Sequence, residues 1–215
     1  MELQELAAQL REPKGQNGIE TAKNMNVTNV NMIAKTINEL DLGQNAKVLE
    51  IGPGNALHLK EIFKKNLDIT YHGIDISQTM IDEATQTNGD FVAQNKAIFS
   101  LVDGKKIPFP DQSFDVIFTV NTIYFWESPE LFLREIKRVL SQNGQLVIAY
   151  IPERVMRKIP FAQFNFNWFC EEKIEALLQK NNFESTLLIS EKEDIISNSG
   201  EKIERIFNIV VAKNI

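Results

Sequence analysis

The segment Val48-Leu49-Glu50-Ile51-Gly52-Pro53-Gly54-Asn55-Ala56 carries an apolar run straight into a glycine-rich loop. Lys47 to Ile51 (KVLEI) predicts a strand, Gly-Pro-Gly ends it, and Ala56 to Lys65 predicts a helix. Glycines at such a turn let a ligand approach the backbone closely, and the helix start offers unpaired N–H groups. An ordinary strand-to-helix turn has the same appearance, so the loop alone does not name a ligand. The next apolar run, Ile69 to Asp75 (ITYHGID), ends on a carboxylate 21 residues after Gly54. There an acidic side chain can accept hydrogen bonds from both hydroxyls of a ribose. A dinucleotide fingerprint would need glycine at position 57, where this chain has Leu57. Glu50 would also repel a pyrophosphate, whereas it suits an ammonium or sulfonium.

Working outward, short apolar runs alternate with amphipathic stretches, as in an α/β domain. Ser77 is placed to cap a helix with Met80, Ile81 and Ala84 on one face. Ala97 to Val102 predicts a third strand, Lys105 to Ser113 a loop with two prolines, and Phe114 to Val120 a fourth strand. Ser128-Pro129 starts a helix whose apolar stripe reads Leu131, Phe132, Ile136, Val139 and Leu140. Asn143-Gly144 turns the chain into a fifth strand, Gln145 to Ile151. Strands this apolar belong in a parallel sheet covered on both faces.

Residues 1 to 45 are expected to hold a short helix, a polar stretch (EPKGQNGIE) and a longer helix near Thr28 to Leu40. The tail predicts a helix at Glu171 to Lys180 and strands near Ser185 to Ser190 and Ile203 to Ala212. Those two strands would pair antiparallel across the polar loop EKEDIISNSGEK. The division expected is an N-terminal helical extension, 1–45, and a main domain, 46–215.

Residues 46 to 151 resemble the class I S-adenosylmethionine-dependent methyltransferases, particularly the ubiquinone/menaquinone-biosynthesis subgroup. Five motifs carry the likeness in order. Glu50, Gly52 and Gly54 match E/D-x-G-x-G-x-G, with Ala56 replacing its last glycine; Gly73-Ile74-Asp75-Ile76-Ser77 follows. Then come Asp103 to Asp115 (DGKKIPFPDQSFD), Asn121 with Arg134 to Leu140 (REIKRVL), and Gly144 to Ile148 (GQLVI). The resemblance implies a Rossmann-like sandwich with a seven-stranded, mostly parallel sheet ending in an antiparallel pair. It implies S-adenosylmethionine as cofactor, bordered by Gly52, Pro53 and Gly54, with Glu50 near its ammonium group. Asp75 would bind the ribose diol, Ile76 and Met80 would pack on adenine, and Asp103 beside Gly104 would accept from the adenine amine. Asn121 would sit beside the methionine chain and the departing methyl.

Tyr124 and Trp126, in Asn121-Thr-Ile-Tyr-Phe-Trp126, are placed to line an acceptor pocket or to face the sulfonium, although packing of the loop explains each equally well. The aromatic run Phe161 to Phe169 reads most simply as a satellite core, with a pocket lid as the other option. His58, His72 and Cys170 read as structural. The N-terminal stretch is either a lid over the cofactor or a solvated arm.

Composition narrows the partners. The 215 residues are 43% hydrophobic and 24% charged with net charge −6, which suits a globular fold and disfavours nucleic acid. Cys170 is the single cysteine, no apolar run approaches a membrane span, and the N-terminus lacks a signal-peptide pattern, so a cytoplasmic protein is expected. No His/Cys/carboxylate spacing implies a metal. The expected activity is methyl transfer to a small molecule, with no catalytic residue assigned. An aminopropyltransferase, a non-catalytic S-adenosylmethionine-binding domain and a nicotinamide oxidoreductase are the rivals.

Overall fold

Apolar runs form most of the strands here, and most of these are followed by a helix that lays an apolar face on the sheet. In this computed structural model, residues 1–196 and 202–215 are described. The order is α1 (Leu3–Arg11), α2 (Gly15–Thr28), α3 (Val30–Asn38), β1 (Lys47–Ile51), α4 (Leu59–Lys65), β2 (Thr70–Asp75), α5 (Gln78–Thr87), α6 (Gly89–Ala93), β3 (Ala97–Leu101) and β4 (Phe114–Val120). Then follow α7 (Pro129–Val139), β5 (Leu140–Tyr150), α8 (Glu153–Met156), α9 (Glu171–Lys180), β6 (Phe183–Ile196) and β7 (Lys202–Asn214).

One seven-stranded sheet runs β3-β2-β1-β4-β5-β7-β6. The strands β1 to β5 are parallel, and β7 pairs antiparallel with both β5 and β6. The expected sheet and terminal pair are both present. Strand order reverses between β1 and β4, so a crevice opens beyond their carboxyl ends, the usual ligand position in such sheets. Val48, Leu49, Ile117, Phe118, Leu146 and Val147 are fully buried between the helical layers. Among the described residues, no helix is long and apolar enough to cross a membrane.

Four expectations need correction. The polar stretch after Glu12 is not a connector. Pro13 ends α1, Gly15 turns with φ +56, and α2 then takes residues 15 to 28. Its polar side chains face solvent while Gly18, Thr21 and Ala22 are buried, which hides the helix from a hydrophobicity reading. The first crossover helix starts at Leu59, because Ala56 and its neighbours are spent on turns. On α7, Leu131 is exposed and Leu133 takes the buried position with Phe132, Ile136 and Val139; Ser128 makes no side-chain cap bond. Finally, much of EKEDIISNSGEK is strand. Pairing of β6 with β7 continues from Phe183–Asn214 to Ile196–Lys202, and only residues 197–201 of that expected loop lie outside the described residues.

Candidate active site

The glycine loop joins β1 to α4 with Gly52 at φ +70 and Gly54 at φ +57, conformations that favour glycine. The Gly52 N–H donates to the Ile74 carbonyl at 2.8 Å, tying the loop to β2. A Cβ on Gly52 would stand 2.5 Å from Thr122 Cγ2, so this glycine is required by the packing of the β4 loop. A Cβ on Gly54 would meet only Met80 Sδ at 4.0 Å. Ala56 also sits at positive φ, +47, where the motif's glycine would be unstrained.

Asp75, at the end of β2, reaches back to this loop. Its carboxylate accepts from the Gly54 N–H at 3.2 Å and the Ser77 N–H at 2.9 Å. Burial lifts its pKa to about 6 against the opposing pull of those N–H groups. Ser77 caps α5 as expected, its hydroxyl accepting from the Met80 N–H at 3.1 Å. Ile76 and buried Met80 line the same cavity as Asp103 and Gly104. Asp103 itself is exposed. One of its oxygens accepts from the N–H groups of Lys105 and Lys106 at 2.8 and 3.0 Å, and these bonds hold its carboxyl below its ordinary pKa.

Glu50 is buried beneath the loop, where it accepts from the Tyr71 hydroxyl and pairs with His58 Nε2 at 2.9 Å. Burial pushes the His58 pKa down, but the charge and hydrogen bond of Glu50 push it further up. His58 therefore partners Glu50 directly. His72 packs edge-on to Phe109 and Phe114, 5.1 and 5.4 Å between centroids, and is absent from the cavity lining.

The cavity, about 840 Å³, runs from this loop to an apolar end. Asn121, at φ +59 after β4, lines the cavity too. Its amide nitrogen donates to Asn29 Oδ1 at 3.1 Å, and its oxygen accepts from the Tyr124 hydroxyl at 3.0 Å. That hydroxyl also accepts from the Ile151 N–H, and burial drives its pKa far above the ordinary value. Tyr124 and Trp126 both line the cavity. Trp126 packs against Phe132, and its indole N–H is buried with no partner among the described residues.

Phe161 and Phe166 line the apolar end, Phe166 edge-on to Phe125 with centroids 4.7 Å apart, whereas Phe169 is core. The two readings of that aromatic run thus divide between its residues. The helices α1 and α2 form part of the wall, attached through the Pro13 carbonyl to the Ser77 hydroxyl and through the Gly15 N–H to Thr79 Oγ1 at 3.2 Å. Asn29, Thr122 and Arg205 belong to the cavity as well. Thr122 comes with the loop after β4, whereas Asn29 and Arg205 are brought in by long-range packing and Arg205 belongs to no motif.

Comparison with known proteins agrees with this geometry. Residues 49–148 match the family described as methyltransferase domain. The YrhH protein of Bacillus subtilis, named as a methyltransferase, is 30% identical over 113 residues, covering 53% of this chain and 62% of that protein. The 2-methyl-6-phytyl-1,4-hydroquinone methyltransferase of Synechocystis is 32% identical over 114 residues, covering 53% of this chain and 34% of that protein. A SAM-dependent methyltransferase structure from Aquifex aeolicus covers all of both chains with TM-score 0.67 at 18% identity. Residues 49–148 match a methyltransferase domain, and the chain has the fold of class I S-adenosylmethionine-dependent methyltransferases. The chain spans about three fifths of the YrhH length.

This methyltransferase domain carries a donor set that fits its cofactor. A buried carboxylate, Asp75, stands where a diol can reach it, the Gly54 cradle is open, and Ile76 and Met80 offer apolar surface for a flat ring.

Proposed function

We propose that the chain transfers the methyl group of S-adenosylmethionine to a small-molecule acceptor by in-line displacement. The carrying observation is that a glycine loop with Asp75 and an apolar, aromatic-lined end share one cavity, to which Asn121 also belongs. When bound, the cofactor supplies an electrophilic methyl on a sulfonium.

The chain's own groups bind, orient and exclude water. Asp75 takes the two ribose hydroxyls, Ile76 and Met80 hold adenine, Asp103 beside Gly104 accepts from the adenine amine, and the backbone from Gly52 to Gly54 borders the methionine part. Glu50 acts on the ammonium group through its field, since Tyr71 and His58 occupy its carboxylate. Asn121, held on both sides by Asn29 and Tyr124, stands beside the reacting methyl. Holding an acceptor in near-attack geometry in a dry site supplies most of the acceleration. Tyr124 is an unsuitable base, because burial keeps its hydroxyl protonated.

In this reading α1 and α2 are a cover over the cofactor, and residues 46–215 are the catalytic body. The net charge of −6 supports a small molecule over nucleic acid, and the single cysteine supports a cytoplasmic setting. Purified protein incubated with methyl-labelled cofactor and fractionated metabolite extracts should label a small molecule. No label in any fraction, despite S-adenosylhomocysteine binding, would leave a binding domain instead.

A further inference from the structure

The β6–β7 hairpin runs beyond the sheet that supports it. β7 pairs with β5 only as far as Asn208, opposite Tyr150, while its pairing with β6 continues to Lys202, opposite Ile196. Residues 191–196 and 202–207 thus form a two-stranded arm. Alternate side chains of a strand share a face, so the directly opposed pairs Glu193–Arg205 and Ile195–Ile203 lie on one side. Ile195, Ile203 and Arg205 line the cavity.

Arg205 anchors the arm. It is almost fully buried, donates to Glu193 at 2.8 Å, and reaches the Thr28 carbonyl at 2.7 Å and Asn29 Oδ1 at 3.2 Å. Glu193 in turn accepts from Asn31 Nδ2 at 3.1 Å. The same Asn29 oxygen receives Asn121, so the arm is fixed to the loop after β4 through one side chain. The arm's buried charges are spent on each other. Among the described residues, the charges at the rim are also paired, Arg11 and Lys105 with Glu127 and Glu204 with Lys192, except for Lys158 and, at the cofactor end, Asp103, which are exposed and screened by water.

We propose that this arm, anchored by Arg205, is the acceptor-side wall and selects an uncharged acceptor with an apolar body. The proposal rests on the methyl-transfer reading of the cavity. A charged acceptor would leave water beside Ile195, Ile203, Phe161 and Phe166 with no free buried counter-charge among the described residues of the arm, which is unfavourable, whereas apolar surface gains by the same move.

Calorimetry with 2-naphthol, 2-naphthoate and 2-naphthylmethylammonium, in the presence and absence of S-adenosylhomocysteine, tests it. The neutral probe should bind at least about tenfold more tightly than either ion. Ile203→Glu, at a residue already 42% exposed, should weaken 2-naphthol at least about tenfold and narrow its lead over the cation, with S-adenosylhomocysteine affinity held within about twofold. Ile203→Leu should behave as the natural protein, which separates charge from misfolding. Preference for either ion, or an Ile203→Glu protein with unchanged probe order, overturns the proposal. Failure of S-adenosylhomocysteine to bind at all would instead overturn the cofactor reading, while the probe order without it still judges the arm.

Discussion

The two ends of the cavity are built differently. The cofactor end comes from one stretch of chain, Glu50 to Asn121, in which every assigned residue but Met80, on the first turn of α5, sits at a strand end or in the loop just after it. The acceptor end is assembled from three distant segments: Asn29 between α2 and α3, the aromatics after β5, and Arg205 on the arm. Asn29 and Arg205 are 176 positions apart and 3.2 Å from each other. A ligand surface made by local backbone turns has a fixed spacing that a sequence displays. One made by packing of remote side chains has none, so it can diverge freely while the first end is kept.

The strongest way to break this comparison is at Gly52. Gly52→Val places a branched side chain at φ +70 and against Thr122. S-adenosylhomocysteine binding should fall by more than about 1000-fold, and the melting temperature should fall too, because strain at such a site costs about 1–3 kcal/mol. Unchanged affinity by calorimetry would make the loop a structural turn only. Gly54→Ala meets no close atom, so it should cost binding with less loss of stability.

Arg205 tests the opposite end. Arg205→Ala strands Glu193 as a buried, unpaired carboxylate, which should cost about 3–5 kcal/mol of folding stability in denaturant titrations. The double variant Arg205→Met/Glu193→Met should recover most of that loss. In both proteins, at temperatures where they are folded, S-adenosylhomocysteine affinity should change less than about threefold. A large affinity loss in the double variant would mean that the two ends are not separable.

Asp75→Ala should weaken S-adenosylhomocysteine by about 10- to 1000-fold, because charged hydrogen bonds to two hydroxyls are lost. Acidity sharpens this. The folded pKa, about 6, lies above the unfolded value, so the proton-bound form is the one the fold favours. From this group, stability of the unliganded protein is greatest below the unfolded pKa and is lost as pH rises through about 6. Ligand affinity should run the other way, weakening below pH 6 as the charged acceptor disappears. Wild type minus Asp75→Asn, measured by thermal shift from pH 5 to 8, separates the contribution of Asp75 from that of His58.

Much of the fold was legible because apolar runs, Ser77 and the glycine loop act within a few residues. The arm was not, because Glu191 to Asp194 is a charged run and only the pairing with β7 shows that Glu193 and Ile195 face inward. α2 was missed for a related reason: its buried residues are Gly18, Thr21 and Ala22, which carry little hydrophobic signal. At the candidate site, Glu50 and Asp75 are marked by position in the sequence, but the Tyr71–Glu50–His58 cluster depends on side chains 8 and 21 positions from Glu50 meeting in space.

The smallest expected effect belongs to Asp103, the most exposed member of the cofactor end, and it separates two jobs within one carboxylate. One oxygen already holds the turn by accepting from Lys105 and Lys106. The other is the atom assigned to the adenine amine. Asp103→Asn keeps an oxygen for the turn but presents a donor where the amine needs an acceptor. Asp103→Ala loses both. If the assignment is right, Asp103→Asn should weaken S-adenosylhomocysteine only about three- to tenfold, since an exposed hydrogen bond competes with water. It should nevertheless erase the preference for S-adenosylhomocysteine over its purine analogue lacking the amine. Asp103→Ala should lose the same preference and some melting temperature besides. A carboxylate that serves only the turn gives a different pattern: Asp103→Asn would then match the natural protein in both affinity and preference, and Asp103→Ala would weaken both purines equally. Paired titrations of the two ligands against the two variants decide between these patterns, and the second pattern removes Asp103 from the adenine site while leaving Asp75 and the glycine loop in place.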